Sequence, residues 1–252
     1  MIEIEAVCKS YGGARVVDDV SVTVPAGGIT SLIGANGAGK STLLSIASRL
    51  LPADSGRVLV DGMDVARTPG PVLARRLAVL RQENSMTVRL TVRELVAFGR
   101  FPHSGGRLTA EDRARIDEAL DWFELAPLAD RHLDQLSGGQ RQRAYVAMVM
   151  CQGTDYVLLD EPLNNLDMRH SVQMMRMLRG MADELGRTVV LVVHDVNVAS
   201  AYSDRIVAMR DGHLVAAGPT AELMTPELLR KVFDVEVDVH ELGGRRIAVP
   251  WS

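Results

Sequence analysis

Residues 34–41 have the composition and spacing of a loop that binds phosphate groups. Their sequence, GANGAGKS, fits the pattern G-x-x-x-x-G-K-S/T and lies between a predicted strand and a predicted helix. Glycines let such a loop curl until its backbone N–H groups point at phosphate oxygens. Lys40 is expected to reach the β- and γ-phosphates of a nucleotide, and the Ser41 hydroxyl to bind Mg²⁺. The predicted nucleotide ligands in this segment are Gly34, Asn36, Gly37, Gly39, Lys40, Ser41 and Thr42.

Two carboxylates, Asp160 and Glu161, follow a second apolar run at residues 156–159. A carboxylate at the tip of a buried strand is well placed to hold the water shell of Mg²⁺, which we expect of Asp160. Glu161 would then polarise a water molecule for attack on phosphorus. The alternative is an acidic turn with no catalytic role. The phosphate-binding pattern elsewhere in the chain favours the catalytic interpretation.

The sequence LSGGQ, at residues 136–140, stands ahead of a long helical pattern. Ser137 has the residue type of a helix N-cap, and Gly138 and Gly139 follow it. These residues mark either a helix start alone or a second anion site, in which Ser137 and backbone N–H groups face a phosphate. Position in the chain leaves both interpretations open. A second anion site in a chain with one phosphate loop would suggest the nucleotide of a partner chain.

These candidate residues need a scaffold of strands and helices. Apolar runs at 29–33, 156–159 and 188–193 alternate with helical patterns, which is typical of a parallel sheet covered on both faces. Further predicted elements are strands over 2–7, 20–24 and 57–60, a helix over 40–51 stopped by Pro52, a helix over 168–185, a hairpin over 206–218 and a small terminal sheet over 232–249. The predicted fold class is α/β.

A helical insert interrupts this pattern. Helical periodicity at 91–99 and 110–125 predicts an inserted helical subdomain over residues 86–150. Residues 1–85 and 151–252 would form the catalytic core, a nucleotide-hydrolase core with a mixed or parallel sheet and antiparallel N-terminal strands. The whole chain, 1–252, is predicted to be a single domain.

Composition excludes several classes of protein. The longest apolar stretch, 144–151, is eight residues long, whereas a membrane-spanning helix needs about 20. We also expect no secretory signal, because no basic segment and apolar run open the chain. A net charge of −4 argues against nucleic acid as a partner. Cys8 and Cys151 are the only cysteines, so no disulfide framework is predicted and a reducing cytoplasm fits.

Together these motifs resemble the ATP-binding subunit of an ABC transporter, over residues 2–239. LSGGQ matches the signature of that family in full. The resemblance implies roles for four more residues: Tyr11 stacks on adenine, Gln82 joins the Mg²⁺ shell and reports nucleotide state to the membrane partner, Asp167 lies in the D-loop, and His194 contacts the γ-phosphate. Three histidines fit no motif and are predicted to lie on the surface: His132, His170 and His213.

The resemblance also implies cofactors and partners. ATP and Mg²⁺ would be bound in a head-to-tail homodimer, in which the signature residues of one chain complete the nucleotide site of the other. Those residues are Ser137, Gly138, Gly139 and Gln140. Transmembrane permease subunits would dock on the helical insert and the segment after Gln82, and a substrate-binding protein would act indirectly. The chain would be peripheral, on the cytoplasmic face of the membrane.

Two segments resemble a narrower group, the importers of iron–siderophores, haem and cobalamin. They are LTVRELVAFGRFPH at 90–103 and EPLNNLDM at 161–168. The pair Asn164 and Asn165 replaces the Thr-Ser or Thr-Ala of other members and favours ferric siderophores, particularly the catecholate type. Glu83 and Asn84, which follow Gln82, differ from the residues that the family usually has at these positions. This segment is the expected contact with the permease subunits, so the difference concerns the coupling of hydrolysis to transport.

The chain is therefore expected to be the ATP-hydrolysing subunit of an iron–siderophore importer. Within transport, import of haem or cobalamin is the first alternative, and import of a metal ion is the second. A soluble ABC ATPase of DNA repair or translation is disfavoured, because the chain has one cassette, an insert too short for a coiled coil, and a net charge of −4.

Overall fold

The structure is a computed structural model that describes residues 1–82 and 88–250. Glu83 and Asn84 lie outside the described residues. Within those ranges the strands are β1 (Ile2–Tyr11), β2 (Ala14–Val24), β3 (Gly28–Ile33), β4 (Ser55–Val60), β5 (Met63–Asp64), β6 (Leu77–Leu80), β7 (Tyr156–Leu159), β8 (Thr188–Val192), β9 (Arg205–Arg210), β10 (His213–Pro219), β11 (Asp238–Leu242) and β12 (Arg245–Val249). The α-helices in the same ranges are α1 (Lys40–Ala47), α2 (Gly70–Leu73), α3 (Val92–Phe98), α4 (Phe101–Ser104), α5 (Ala110–Trp122), α6 (Gly138–Cys151), α7 (Met168–Asp183), α8 (Val196–Tyr202), α9 (Thr220–Leu223) and α10 (Pro226–Phe233).

These elements form two compact units. The first comprises the described residues of 1–68 and 188–250, and the second comprises the described residues of 69–187. The second unit contains β6 and β7 as well as the helices of the predicted insert. The division into a catalytic core and a helical subdomain over 86–150 stays a prediction.

An antiparallel sheet in the first unit has the strand order β2-β1-β4-β5. Its central strand is β1, in which Ile2 lies opposite Val24 of β2 and Val60 of β4. Alternate side chains of β1 are buried, beginning with Ile2 and Ile4, because successive residues of a strand point to opposite faces. The predicted N-terminal strands are confirmed, and both extend further than predicted.

The first unit also contains four strands in the order β10-β9-β3-β8. β3 runs parallel to β8 and to β9, whereas β9 and β10 form an antiparallel hairpin. All five residues of β8 are buried, as expected for a parallel strand covered on both faces. The predicted α/β class with a mixed sheet is therefore confirmed.

In the second unit, β6 and β7 form a parallel pair, and α3, α5 and α6 pack against one another. Each of these three helices begins at a capping box, in which the N-cap hydroxyl and the side chain three residues later satisfy each other's backbone N–H. The caps are Thr91, Thr109 and Ser137. The apolar run at 144–151 forms the mostly buried second half of α6. Among the described residues, no helix is both long enough and apolar enough to cross a bilayer.

A buried ion pair links α5 to the end of α6. The Arg100 guanidinium donates to Asp112 (2.9 Å) and to the carbonyl oxygen of Cys151 (3.0 Å). The two charged side chains are only 7% and 5% exposed, and such burial is tolerated because each charge is hydrogen-bonded. The backbone N–H of Thr109 and the Arg100 guanidinium lower the pKa of Asp112 to about 2. Burial raises the pKa of the Cys151 thiol to about 12.

Two predicted elements are wrong in extent. The helix predicted over 40–51 ends at Ala47, because the chain turns at Arg49, which has a left-handed backbone with a φ of 62°. The tail predicted as sheet from residue 232 begins inside α10. Leu229 and Val232 are buried one helical turn apart, and Thr225 caps this helix. β11 and β12 then form the small antiparallel sheet.

Candidate functional site

The phosphate loop of the first unit is held by its own lysine. Lys40 is the first residue of α1, and only 5% of its surface is exposed. Its Nζ donates to the carbonyl oxygens of Gly34 (2.8 Å) and Ala35 (2.9 Å). The lysine therefore lies back across the loop, and its charge is concentrated where the motif predicts the phosphates.

Gly39 makes the turn from loop to helix. Its φ is 94°, and a Cβ at this position would lie 2.4 Å from the carbonyl oxygen of Val16. Only glycine meets both demands. The first N–H groups of α1 have no acceptor within the helix, which makes the helix start a natural anion site. The remaining predicted ligands lie in the loop or in the first turn of α1: Asn36, Gly37, Ser41 and Thr42.

Strand register brings His194 to the phosphate loop. In the parallel pair β3 and β8, Leu32 lies opposite Val192. Gly34 and His194 each lie two residues beyond that pair, at the carboxyl ends of the strands, where open α/β sheets bind ligands. The Val193 N–H donates to the Leu32 carbonyl at 3.2 Å and extends the pairing toward His194. The first unit thus brings the loop and the predicted γ-phosphate ligand together.

The second unit repeats this register. Leu80 of β6 lies opposite Leu159 of β7, and Gln82 and Glu161 each lie two residues further on. There Nε2 of Gln82 donates to Oε2 of Glu161 at 2.8 Å. The N–H of Asp160, between strand and glutamate, donates to the Leu80 carbonyl at 2.9 Å. Two residues predicted from separate motifs are therefore in direct contact.

Glu161 has a strained backbone. Its φ of 49° is left-handed, which is uncommon for a residue with a Cβ and costs about 1–3 kcal/mol. Strain of this kind clusters at functional sites. The Nδ2 of Asn164 also lies 3.4 Å from Oε2 of Glu161, so two amides orient one carboxylate. Asp160 is buried, with 7% of its surface exposed.

The LSGGQ segment forms the start of α6. The Ser137 hydroxyl accepts from the Gln140 N–H (3.2 Å), and the Gln140 side-chain oxygen accepts from the Ser137 N–H (3.0 Å). The helix-start interpretation of Ser137 is therefore confirmed, while the anion site stays a prediction. Gly138 is exposed with open space around it, whereas Gly139 is buried.

Asp167 caps α7 and is hydrogen-bonded to His170, a histidine that fits no sequence motif. Its Oδ1 accepts from the backbone N–H and from the Nδ1 of His170, both at 2.8 Å. These hydrogen bonds, led by the backbone one, lower the pKa of Asp167. The His170 side chain is 32% exposed, and its ring lies against Gly139.

His170 is therefore partly exposed, as a surface residue would be, but the prediction did not include its contacts with Asp167 and Gly139. His132 is also partly buried, and its Nδ1 is enclosed without a hydrogen-bond partner. His213 is exposed, as predicted. The signal for His170 was its spacing, because the third residue after an Asp N-cap lies next to the capping carboxylate.

Tyr11 ends β1 with half of its surface exposed (50%). The Lys9 Nζ lies 5.9 Å from the ring centroid, within the range of a cation–π interaction. Lys9 is itself fixed by Asp54, whose Oδ1 accepts from Nζ at 2.7 Å. The ring is accessible for stacking, and its contact with adenine stays a prediction.

The predicted site residues divide between the two units. The first unit holds Tyr11, the residues of the phosphate loop and His194, and the second holds Gln82, Asp160, Glu161, the signature residues and Asp167. Across the described ranges, His, Cys, Asp and Glu form no group of three or more that would hold a metal. The predicted Mg²⁺ ligands are of mixed type, since Ser41 and Gln82 accompany the single carboxylate of Asp160.

Comparison with known proteins assigns the chain to a family. The family model described as "ABC transporter" matches residues 17–164. That segment contains the phosphate loop, Gln82, LSGGQ and the Asp160-Glu161 pair. The chain belongs to the ABC transporter family. Nucleotide binding and ATP hydrolysis follow from this membership, and the predicted ABC ATP-binding subunit is confirmed.

Relatives are similar over nearly the whole length. The petrobactin import ATP-binding protein YclP of Bacillus subtilis (strain 168) is 49% identical over 252 residues, covering 100% of both chains. The petrobactin import ATP-binding protein FatE of Bacillus anthracis is 52% identical over 239 residues, covering 95% of this chain and 96% of FatE. Among solved structures, the dimeric post-hydrolysis state of the ATP-binding cassette MJ0796, bound to ADP and Pi, has a TM-score of 0.78 at 29% identity, covering 87% of this chain and 99% of that one.

Proposed function

We propose that this chain is the ATP-hydrolysing subunit of an importer that takes up an iron–siderophore complex through separate permease subunits. The hydrogen bond of 2.8 Å between Gln82 and Glu161 carries the catalytic part of the proposal. It ties the residue that the family uses to report nucleotide state to the predicted catalytic base. The identity to petrobactin import proteins supports the cargo class.

In the proposed mechanism each residue has one role. Lys40 and the N–H groups of the loop bind the β- and γ-phosphates, and His194 stabilises charge on the γ-phosphate. Glu161 accepts a proton from the attacking water as the water oxygen bonds to the γ-phosphorus. The bond between that phosphorus and the β–γ bridging oxygen breaks, and ADP leaves with inorganic phosphate as the second product. The amides of Gln82 and Asn164 hold the plane of that carboxylate, so its orientation is fixed before the water is activated.

The donor set fits Mg²⁺. Ser41, Gln82 and Asp160 offer a hydroxyl, an amide and a carboxylate, and oxygen is the donor that this hard cation prefers. Gln82 uses its amide nitrogen toward Glu161, which leaves the amide oxygen as its cation-binding atom. Mg²⁺ would neutralise phosphate charge when bound.

We further propose a head-to-tail homodimer. Ser137, Gly138, Gly139 and Gln140 of one chain would face the nucleotide bound to the phosphate loop of the other, and Asp167 would lie at the same interface. Support comes from the helix start at Ser137, where the N–H groups of Gly138 and Gly139 precede the first hydrogen bonds of the helix. The dimeric state of the similar cassette is the second support. Permease subunits would place this chain on the cytoplasmic face of the membrane, and a substrate-binding protein would select the cargo.

Uptake measurements test the cargo. Deletion of this chain's gene in its host should abolish uptake of radiolabelled iron from a ferric catecholate siderophore, and the wild-type gene should restore it. The Lys40→Ala variant should fail to restore uptake, because it removes the phosphate-binding charge. Loss of haem or cobalamin uptake with ferric-siderophore uptake intact would instead support the alternative cargo. If deletion of the gene changes the uptake of none of these substrates, the import proposal is contradicted.

A further inference from the structure

The side chain of His170 is hydrogen-bonded on one side of its ring to Asp167 of the D-loop. Asp167 Oδ1 accepts from its Nδ1 at 2.8 Å while accepting from its backbone N–H at the same distance. A carboxylate only accepts hydrogen bonds, so Nδ1 must carry the proton. The ring therefore has a fixed orientation relative to the first turn of α7, which Asp167 caps.

The other edge of the ring lies on the signature helix. A Cβ built on Gly139 would lie 2.8 Å from Cδ2 and 2.9 Å from Cγ of His170, closer than real Cβ contacts come. Gly139 is buried, whereas a Cβ built on Gly138 beside it would meet no atom within 4 Å. The close approach of α6 to the ring thus requires glycine at position 139 but not at position 138.

We infer that His170 is a positioning residue that couples the carboxylate of Asp167 to the signature backbone at Gly139. The inference rests on the proposed function, in which Gly139 faces the nucleotide of the partner chain and Asp167 lies at the same interface. One ring fixes both at once, so the D-loop and the signature are presented to the partner as a rigid pair. His170 touches no substrate in this scheme and acts through its two neighbours.

Two substitutions separate the two contacts of the ring. His170→Asn keeps an amide donor near the position of Nδ1 but removes the ring from Gly139. His170→Phe keeps a ring against Gly139 but removes the donor to Asp167. His170→Ala removes both contacts, and His240→Ala, at an exposed position on β11, is the matched control.

The experiment measures ATP hydrolysis by the full-length chain, with ATP affinity measured in parallel. We expect His170→Ala to lower kcat about tenfold while KM and the ATP affinity of the monomer change less than about twofold, because the phosphate loop is untouched. His170→Asn and His170→Phe should each lose activity, and the control should match the parent. In the Glu161→Gln background, His170→Ala should also weaken the ATP-dependent dimer seen by size-exclusion chromatography. Parental kcat in both His170→Asn and His170→Phe, or an equal loss of ATP affinity, would overturn the inference.

A double-mutant cycle of melting temperatures tests the contact between His170 and Gly139 without measuring hydrolysis. Gly139→Ala should lower the melting temperature because the new methyl group meets a pinned ring, and the loss should be smaller when His170→Ala is also present. Strictly additive losses would show that the ring does not contact Gly139 in solution. If the parent chain fails to hydrolyse ATP, the proposed function fails, while this cycle still decides whether the contact exists.

Discussion

Three local features hold the side chain of Glu161. Its backbone is left-handed at a φ of 49°, and the amides of Gln82 and Asn164 both approach Oε2. A flexible carboxylate would have to be ordered during each turnover, whereas this one is oriented by its own neighbours. Glu161 is consequently the residue whose chemistry, rather than size, should matter most.

We expect Glu161→Gln to reduce ATP hydrolysis by about 100-fold or more, because an amide of nearly the same shape cannot accept a proton from water. ATP binding should persist, so a nucleotide-bound dimer should accumulate. Phosphate release and size-exclusion chromatography with ATP measure the two effects. Glu241→Gln, an exposed change on β11, is the control, and parental hydrolysis by Glu161→Gln would show that another group is the base.

Motif spacing predicts residues such as Lys40 and Glu161 because their chemistry depends on a short stretch of chain. His170 shows where that approach stops. Its contact with Gly139 joins residues 31 positions apart, and it depends on how closely α6 and α7 approach. A sequence pattern records which residue is present but not which helix comes to lie against it.

Helix α5 illustrates how a local signal and a tertiary contact meet in one element. Thr109 and Asp112 form its capping box, which the order of residues alone supports. Asp112 is also the partner of Arg100, a contact that sequence does not reveal. The opposite case is α1, for which apolar periodicity predicted four more residues than form. Backbone geometry at Arg49 ends that helix early.

We expect Asp112→Asn to destabilise the fold near neutral pH, because it leaves the buried Arg100 guanidinium without its carboxylate. The pKa of Asp112 is lowered from 3.8 to about 2 in the folded chain. The contribution of its charge to stability is therefore full above the unfolded value and is lost as pH falls toward about 2. In urea unfolding, the free energy of unfolding should be lower for the variant than for the parent at pH 5, and this difference should be smaller at pH 3. Asp121→Asn, exposed on the same helix, should unfold like the parent at each pH.

At the scale of the whole molecule, β12 supports α8, the helix that follows His194. Nδ2 of Asn197 in α8 donates to the carbonyl oxygen of Ala248 in β12 (3.0 Å), and the Ala248 N–H donates to Oδ1 of Asn197 (2.7 Å). The Ser200 hydroxyl donates to the carbonyl of Arg246 at 2.6 Å. The alternating tail predicted a small sheet, but nothing in its pattern indicated that the sheet would hold α8.

Asn197→Ala should loosen β11 and β12 without abolishing nucleotide binding. Two hydrogen bonds are lost and the backbone groups of Ala248 are left without those partners, a loss of about 1–3 kcal/mol. Faster amide hydrogen exchange over 238–249, with ATP affinity close to the parent value, is the expected result. Unchanged exchange would mean that other contacts hold the hairpin. Asp121→Ala, at an exposed position on α5, is the control.

The two cysteines differ in burial: Cys8 is half-buried and Cys151 is buried, so Cys8 is the thiol that we expect to take up a reporter dye. With 4% of Cys151 exposed and its thiol pKa raised to about 12, a thiol-reactive fluorophore should add once to the native chain and twice in urea, as mass spectrometry would record. Two additions under native conditions would contradict this. Cys8 shares β1 with Tyr11, three residues away. A dye there would let nucleotide binding at the predicted adenine position be followed by fluorescence with no engineered cysteine.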